Sequence, residues 1–259
     1  MATSKRDYTA ASVFQPEKLL RESRRQRNIA EGSVPRVCVL DPNGDIVRAL
    51  IAAGRMRRNP FWACSHTDMY SMDIDGQTFG LVGRAIGAPF AVLIAEQMFA
   101  SGCQLLISIA AAGQLAPGGP TPYLLLIDRA LRDEGTSGHY LPPSLFAAPD
   151  PALIARVAAT LAGQFPAVRQ GATWTTDAPF RETQGAIEAA REQGAVAVEM
   201  EAAALYAFAH ARGKGVICFG HVTNQIAKTD ADVEKAEANG ARDAMALIAA
   251  TARAWRGLP

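Results

Sequence analysis

Cysteine and histidine are scarce in this sequence. The 259 residues include 4 cysteines and 4 histidines. The cysteines are far apart, mostly within apolar runs, and form no CxxC pair; they are Cys38, Cys64, Cys103 and Cys218. This pattern predicts buried, reduced thiols rather than a disulfide framework. The histidines show no HExxH or similar ligand spacing, so neither a metal site nor a metal cofactor is predicted.

Excess charge and long apolar runs are missing as well. The 26 Lys and Arg residues balance 25 Asp and Glu residues, so the net charge of +1 favours neither nucleic acid nor a membrane surface as a partner. No apolar run approaches the ~20 residues that span a bilayer, and the first ten residues, MATSKRDYTA, lack the apolar core of a signal peptide. We therefore expect a soluble, cytoplasmic protein.

Glycine-rich nucleotide motifs such as GxGxxG, internal repeats and low-complexity linkers are also absent. What remains is an apolar chain, 49% hydrophobic, that is long enough for one large core. Strand-like and helix-like runs alternate along it, and Asp75-Gly76 between two strand-like runs predicts one hairpin. This order predicts a single α/β domain with a mixed, largely parallel central sheet flanked by helices.

The individual elements are predicted from apolar periodicity, capping residues and Gly or Pro breaks. Strands are expected at 34–40, 69–74, 78–83, 104–109, 122–131, 168–176, 195–200 and 215–223. Helices are expected from 45 to about 54 and at 89–100, 151–163, 182–193 and 201–212. A last helix begins near 230–232, is interrupted at 239–240 and ends near 255.

Residues 1–33 differ from the rest, so we divide the chain into an N-terminal extension, 1–33, and an α/β domain, 34–259. Arg21, Arg24, Arg25 and Arg27 crowd one short stretch of the extension. A nucleic-acid patch is one interpretation of this cluster. Because no aromatic residues are interleaved, an arm that packs on the body or on another subunit is the favoured one.

Two glutamates stand at a predicted strand-to-helix junction. The apolar run that starts at Ala195 ends at Glu199, and a helix-favouring run begins at Ala202. Residues two apart in extended chain point the same way, so Glu199 and Glu201 can serve one pocket. The alternative is a solvated turn beside a helix start, where carboxylates suit the helix dipole.

The run VEMEAAALYAFA, which begins at Val198, resembles the signature of the nucleoside phosphorylase superfamily, which includes purine nucleoside phosphorylases, uridine phosphorylases and nucleosidases. Other matches follow in the same order: Gly44-Asp45 with Arg48, Gly135-Thr136-Ser137 with Tyr140, Thr176 to Phe180, and Val222-Thr223-Asn224. The resemblance spans about residues 34–255. It implies a pentosyltransferase that cleaves the N-glycosidic bond of a nucleoside, needs no cofactor, and forms a homo-oligomer, a dimer or a hexamer.

The resemblance also implies roles for individual residues. Glu201 matches the glutamate that binds the ribose hydroxyls, with Met200 and Glu199 beside it. The base-binding stretch matches Pro179, Phe180 and Arg181. Asn224 matches a position on the side of the leaving base where many purine-specific members have an aspartate; an asparagine donates a hydrogen bond there but does not give up a proton.

A glycine-bearing turn at residues 41–45 leads into a predicted helix. Such a turn presents free N–H groups that favour anions, and Arg48 would lie one turn into the helix. A plain link between strand and helix is the alternative interpretation.

On the phosphate side the chain departs from the phosphorylases. Gly44 and Arg48 match phosphate-binding positions, but Ser108 and Ala111 stand where phosphorylases have an arginine and a threonine. Each lost charge-assisted hydrogen bond weakens binding by roughly 1.5–3 kcal/mol, so two losses correspond to about a hundred-fold to ten-thousand-fold. His66 or Arg84 would have to compensate, together with Gly44 and Arg48.

Three functions therefore remain open. Phosphorolysis is favoured by Gly44-Asp45 with Arg48 and by the Val-x-Asn run. Hydrolysis by water is favoured by the small residues around Ala111, and its base would be Glu199, Glu182 or Asp45. A nucleoside-binding protein without turnover is the third.

Overall fold

The structure is a computed structural model that describes residues 6–116, 119–165, 167–225 and 239–256, with the backbone alone described at 224–225 and 239–243. The helices in these residues are α1 (Pro16–Arg27), α2 (Asp45–Ala52), α3 (Ala88–Ala100), α4 (Pro151–Gln164), α5 (Gln184–Glu192), α6 (Ala202–Arg212) and α7 (Asn239–Arg256). The strands are β1 (Val37–Asp41), β2 (Arg57–Arg58), β3 (Tyr70–Ile74), β4 (Gln77–Gly83), β5 (Leu105–Gln114), β6 (Tyr123–Asp133), β7 (Phe146–Ala147), β8 (Arg169–Thr176), β9 (Ala195–Glu199) and β10 (Gly215–Gln225).

Turn-forming and helix-capping residues set several boundaries of the helices and strands. Asp75 and Gly76 both have positive φ, 50° and 75°, and join β3 to β4, which confirms the predicted hairpin. Asp150 caps α4 by accepting a hydrogen bond from a backbone N–H in the first turn. Pro89 lies in the first turn of α3, where its missing N–H leaves no hydrogen bond unmade.

The last predicted helix is matched only in its later part. Its expected start near 230–232 lies outside the described residues. The helix that is described, α7, begins at Asn239 and runs to Arg256. The expected interruption at 239–240 therefore coincides with the first residues of α7.

Four neighbouring strands run parallel in the order β10, β5, β1 and β4. Their carboxyl ends consequently meet at one edge of the sheet, which is where open α/β sheets bind ligands. β3 and β2 extend the sheet beyond β4 in antiparallel pairing.

Strand β5 has three partners and closes a ring. One of its edges pairs with β10 along 105–114; the other pairs first with β1 and then, at Gly113 and Gln114, with β9. From β9 the hydrogen bonds continue to β8, then β6, and return to β10. The carboxyl end of β5 is thus held between β9 and β10.

Helices cover both faces of the sheet. Residues of α3 and α6 form one buried cluster against it, and residues of α2, α4 and α7 form another on the opposite side. A smaller cluster packs α5 against Trp174 and Val198. The predicted α/β fold with a mixed central sheet between helices is confirmed.

The alanine-rich run after the two glutamates forms α6, which is buried along most of its length, from Ala202 to Ala209. Small side chains let a helix pack closely on a sheet and on α3 at once. The buried phenol of Tyr206 is hydrogen-bonded on both sides: it donates to the carbonyl of Ile127 (2.6 Å) and accepts from the N–H of Cys218 (3.1 Å). Helix α6 is therefore tied to β6 and β10.

The arginines of α1 bind backbone of the body. Arg24 donates to the carbonyl of Phe61 (3.0 Å) and Arg27 to that of Cys64 (2.8 Å), while Leu20 of the same helix is buried. Two of the four clustered arginines are thus engaged within the protein, which supports the packing arm over the nucleic-acid patch.

The four cysteines are all buried and unpaired, as predicted. Burial raises the pKa of the Cys38 and Cys218 thiols well above the ordinary value. None of the described helices has the length and apolar character needed to cross a membrane.

Candidate active site

The two glutamates of the signature lie inside the protein. Glu199 is the last residue of β9 and Glu201 immediately precedes α6, with the half-buried Met200 between them; we call these three residues the carboxylate junction. The glutamates are 4% and 3% exposed. The solvated-turn alternative is therefore wrong.

Glu199 is surrounded by hydrogen-bond donors. Its Oε1 accepts from the hydroxyls of Thr173 and Thr175, which lie two apart on β8 and so point the same way. Its Oε2 accepts from the N–H groups of Glu201 and Ala202, at 2.7 Å each. Burial raises the pKa of Glu199, and these four hydrogen bonds oppose the rise. Glu199 thereby fixes the backbone that carries Glu201.

Glu201 is held from another part of the chain. Its Oε1 accepts a hydrogen bond of 2.7 Å from the backbone N–H of Gly87, in the loop between β4 and α3. Burial, followed by the negative charge of Glu199, raises the pKa of Glu201 to about 8. Without a ligand this carboxyl is largely protonated at neutral pH. A ligand whose hydroxyls donate to the carboxylate favours the ionised form.

The pairing at the end of β5 places Asn224 near the carboxylate junction. Gly113 of β5 is opposite Val198 of β9 on one edge and opposite Asn224 of β10 on the other. The backbones of Val198 and Asn224 are therefore separated by a single strand, about 10 Å in all. The side chain of Asn224 lies outside the described part of the structure.

The turn after β1 differs from what its sequence predicts. Gly44 has φ of 81° and caps α2, as a glycine-bearing turn should. The buried carboxylate of Asp41, however, accepts from the N–H groups of Gly44 (3.1 Å) and Val47 (2.9 Å). Two of the N–H groups expected to be free at this helix start are thus occupied, because an acid at the end of β1 reaches them first. Burial raises the pKa of Asp41 to about 6.

The predicted phosphate-binding side chains have the following environments. Arg48 forms an exposed ion pair with Asp45, Nη2 to Oδ1 at 2.6 Å. Ser108 is buried in β5 opposite Leu40 of β1. The N–H of Ala111 donates to the side-chain oxygen of Asn43 at 2.9 Å.

Arg84 lies directly over Gly44. A Cβ atom on Gly44 would be 2.7 Å from Cγ of Arg84, and the N–H of Arg84 donates to the carbonyl of Asp41. Asn43, Gly44, Arg84 and Ala111 thus gather where the ends of β1, β4 and β5 meet. We call these four residues, together with Asp41, Asp45 and Arg48 around the turn after β1, the Gly44 corner.

The predicted base-binding residues form a single 3-10 turn, Pro179–Arg181, after β8. Phe180 is 99% exposed. An aromatic ring that buries nothing in the folded chain is available for a planar ligand. Partial burial raises the pKa of the neighbouring Glu182.

A cavity of about 790 Å³ adjoins the start of α3. It lies between residues 7–19, the outer face of α3 and the loop at 135–140. Pro89, two residues after Gly87, lines it, as do Thr136, Tyr140 and Asp177. The cavity therefore reaches to within two residues of Gly87, the donor to Glu201, whereas the buried Glu201 itself does not line it. Within the described residues no group of His, Cys, Asp or Glu side chains is arranged to hold a metal ion.

The model of the phosphorylase superfamily matches residues 45–254. The chain belongs to this superfamily. The chain is similar to a guanosine phosphorylase of Halorubrum lacusprofundi, with 24% identity over 146 residues. That match covers 56% of the chain and about three fifths (61%) of the relative's length.

The fold of this superfamily member is also similar to a solved structure. The purine nucleoside phosphorylase of Toxoplasma gondii, in complex with immucillin-H, superimposes with a TM-score of 0.71 at 15% sequence identity. The similarity covers 86% of the present chain and 91% of that protein.

Sequence reasoning missed several residues that support the predicted site of this superfamily member. The N–H of Gly87 and the carboxylate of Asp41 carried no separate signal, because each acts through a contact that only the folded chain creates. Thr173 and Thr175 did carry one: two hydroxyls on the same face of an otherwise apolar strand indicate a buried polar partner.

Proposed function

We propose that this protein cleaves the N-glycosidic bond of a nucleoside by phosphorolysis, as a pentosyltransferase that releases a free base and a sugar 1-phosphate. The observation that carries the proposal is the buried carboxylate of Glu201, fixed by the Gly87 N–H at 2.7 Å, in a member of the phosphorylase superfamily. An isolated buried carboxylate is costly unless it has a function or a partner.

Glu201 has the chemistry that this reaction requires. As the N-glycosidic bond breaks, positive charge develops on the sugar, as in glycoside hydrolysis. An ionised Glu201 accepts hydrogen bonds from both ribose hydroxyls, and its negative charge stabilises the cationic sugar more than the neutral ground state. Met200 lies next to it as a sugar contact. Glu199 accepts hydrogen bonds from the backbone N–H groups of Glu201 and Ala202 and so fixes their position.

The base is assigned to the turn at Pro179–Arg181. Phe180 or Pro179 stacks on the ring, Arg181 lies at its edge, and Asn224 donates a hydrogen bond to the departing base. Purine nucleosides are the substrates to test first, because the names of both similar proteins specify purine or guanosine substrates.

Phosphate is assigned to the opposite side of the sugar, at Gly44, Arg48 and Ser108. These residues follow or lie in β1 and β5, whose carboxyl ends meet beside the carboxylate junction. No bound cofactor takes part; phosphate is a co-substrate.

Hydrolysis by water is a second candidate, supported by a specific observation. The N–H groups of Gly44 and Ala111 are already hydrogen-bonded, to Asp41 and Asn43, and Ser108 carries no charge. A weakened anion site favours water as the nucleophile.

One product assay tests these alternatives. Purine and pyrimidine nucleosides, 5′-modified ones included, are incubated with the protein with and without phosphate, and free base and sugar products are identified. Sugar 1-phosphate formed only in the presence of phosphate supports phosphorolysis. Free sugar at a rate indifferent to phosphate replaces it with hydrolysis. Nucleoside binding without cleavage would indicate a binding protein without turnover.

A cytoplasmic location, assembly into a homo-oligomer and the division of the chain between residues 33 and 34 stay predictions. Equilibrium ultracentrifugation of the purified chain measures the oligomer directly. A monomer at micromolar concentration contradicts the oligomer prediction.

A further inference from the structure

The Gly44 corner contains two arginines in different electrostatic situations. Arg48 is paired with Asp45 at 2.6 Å. The guanidinium of Arg84 forms no ion pair or hydrogen bond with any residue in the described ranges, and its side chain is exposed. Arg84 is therefore the cation of this corner that is available to an incoming anion.

Two backbone donors of the corner, by contrast, are occupied. The N–H of Gly44 donates to Asp41, through both its carbonyl and its carboxylate, and the N–H of Ala111 donates to Asn43. An anion would have to displace these bonds to use the same N–H groups. A side-chain cation has no such competitor, so it becomes the main source of attraction.

The balance of charged side chains in the corner also points to Arg84 as the group that attracts an anion. Asp41 and Asp45 supply two carboxylates within the turn after β1, and Arg48 offsets one of them. Without Arg84 the corner is net negative whenever both acids are ionised, which repels phosphate. With Arg84 the corner is neutral, and an anion can approach the exposed guanidinium.

Packing directs Arg84 over the turn rather than away from it. Its φ of 64° lies in the left-handed region, which is unusual for a residue with a side chain. Gly44 permits the approach, since a Cβ there would be 2.7 Å from Cγ of Arg84, and a Cβ on Gly83 would be 3.1 Å from Cα of Gly44. Two glycines thus let the loop after β4 cross the turn after β1 in direct contact.

The same loop connects Arg84 to the carboxylate junction. Gly87, three residues after Arg84, donates to Oε1 of Glu201. Three residues of chain span at most about 11 Å. The N–H that supports Glu201 therefore lies within that distance of the backbone of Arg84, so one short loop contacts both the carboxylate of Glu201 and the turn at Gly44.

We propose that Arg84 is a phosphate-binding residue of this chain, and that it supplies the positive charge that Ser108 and Ala111 do not. The inference rests on the proposed phosphorolysis. It assigns the anion-binding task to the loop between β4 and α3, on a residue that also stands next to the support of Glu201.

The test compares Arg84→Gln and Arg84→Lys with Arg55→Gln. Arg55 is an exposed arginine just beyond the other end of α2, with no side-chain ion pair among the described residues. In Arg84→Gln we expect KM for phosphate to rise roughly 10- to 100-fold, with KM for the nucleoside within about twofold of the wild type. Arg84→Lys keeps the positive charge but not the several N–H donors of the planar guanidinium, so its KM for phosphate should be intermediate. Arg55→Gln should leave both constants unchanged.

A second measurement does not need turnover. Phosphate should raise the Tm of the wild type and of Arg55→Gln, and this rise should be lost in Arg84→Gln. Sugar 1-phosphate production with an unchanged phosphate KM in Arg84→Gln would overturn the inference and leave the proposed function standing. Cleavage that ignores phosphate, with no phosphate-induced rise in Tm, would overturn both. A phosphate-induced rise in Tm that depends on Arg84, without cleavage of any nucleoside, would support the site and overturn the proposed function.

Discussion

The Oε1 atom of Glu201 accepts a hydrogen bond of 2.7 Å from the backbone N–H of Gly87, although 114 residues separate the two in sequence. The contact joins the loop between β4 and α3 to the start of α6. It orients a carboxylate that is 3% exposed, and it links the position of this carboxylate to that of Arg84 on the same loop. One loop therefore contacts both the predicted sugar site, through Gly87, and the predicted phosphate site, through Arg84.

The pH dependence of catalysis should report Glu201. Its pKa is raised to about 8, and the ionised form is the one that accepts from both ribose hydroxyls. With the nucleoside varied at saturating phosphate, we expect log kcat/KM to rise with pH up to about 8 and to level off above it. A profile that is flat or falls between pH 6 and 8 contradicts this role.

Glu201→Gln is the control for that profile. It should lose the inflection and lower kcat/KM by roughly 10²- to 10⁴-fold, because two charge-assisted hydrogen bonds are weakened. The folded-state pKa of Glu201 is raised above the ordinary 4.5, so the stability it contributes is full below about pH 4.5 and is lost as pH rises through 8. Between pH 5 and pH 9 the Tm of the wild type should therefore fall relative to the Tm of the Gln variant.

Glu199→Gln should separate positioning from direct sugar binding. A glutamine places an NH₂ group against backbone N–H or threonine hydroxyl groups, and we expect a loss of roughly 1–3 kcal/mol in the free energy of unfolding. Removing the Glu199 charge should also move the kcat/KM inflection below pH 8. Glu192→Gln, at an exposed site on α5, should change neither quantity. An inflection that stays at pH 8 would show that Glu199 does not act on Glu201 through its charge.

Gly44→Ala and Gly54→Ala form a matched pair at the two ends of α2. Both glycines have positive φ, 81° and 66°, so each variant should lose about 1 kcal/mol in urea unfolding. A Cβ on Gly54 meets nothing within 4 Å, whereas one on Gly44 meets the stem of Arg84. We therefore expect Gly44→Ala alone to raise KM for phosphate, and an equal rise in both variants would argue against the contact.

Phe180→Leu should affect binding without affecting the fold. At 99% exposure the ring contributes almost nothing to stability, so the free energy of unfolding should change by less than about 0.5 kcal/mol. Base stacking on an aromatic ring is worth about 1–3 kcal/mol, so KM for the nucleoside should rise roughly 5- to 100-fold. Leu145→Ala, at a half-exposed apolar residue, is the control. An unchanged nucleoside KM in Phe180→Leu would remove this ring from the base site.

Local features of the fold could be predicted because local residues determine them. Asp75-Gly76 specifies a hairpin, Asp150 caps a helix, and the apolar run before Glu199 is a strand whichever neighbours it has. The pairing of β5 with β9 at Gly113 could not be predicted, since nothing in an apolar run states which edge it will use.

The candidate site was likewise predictable only in those features that local residues determine. The pairing of Glu199 and Glu201 was visible in their spacing, but their burial, and hence the raised pKa of Glu201, depends on α6 packing beneath α3 and the sheet. The N–H groups of Gly44 and Val47 are occupied rather than free, because the Asp41 side chain folds back on them, which the sequence does not show. Asn224 stays a prediction as a donor to the base.

The three-partner arrangement of β5 has a consequence for synthesis of the chain. Its ten residues, LLISIAAAGQ, carry no charge and are almost fully buried, and β10, which covers one whole edge, is among the last strands to be translated. A nascent or truncated chain that ends before residue 215 exposes that edge. Unpaired, uncharged strand edges recruit other chains. Ribosome-stalled or prematurely terminated products of this sequence should therefore aggregate and depend on chaperones until the tenth strand emerges.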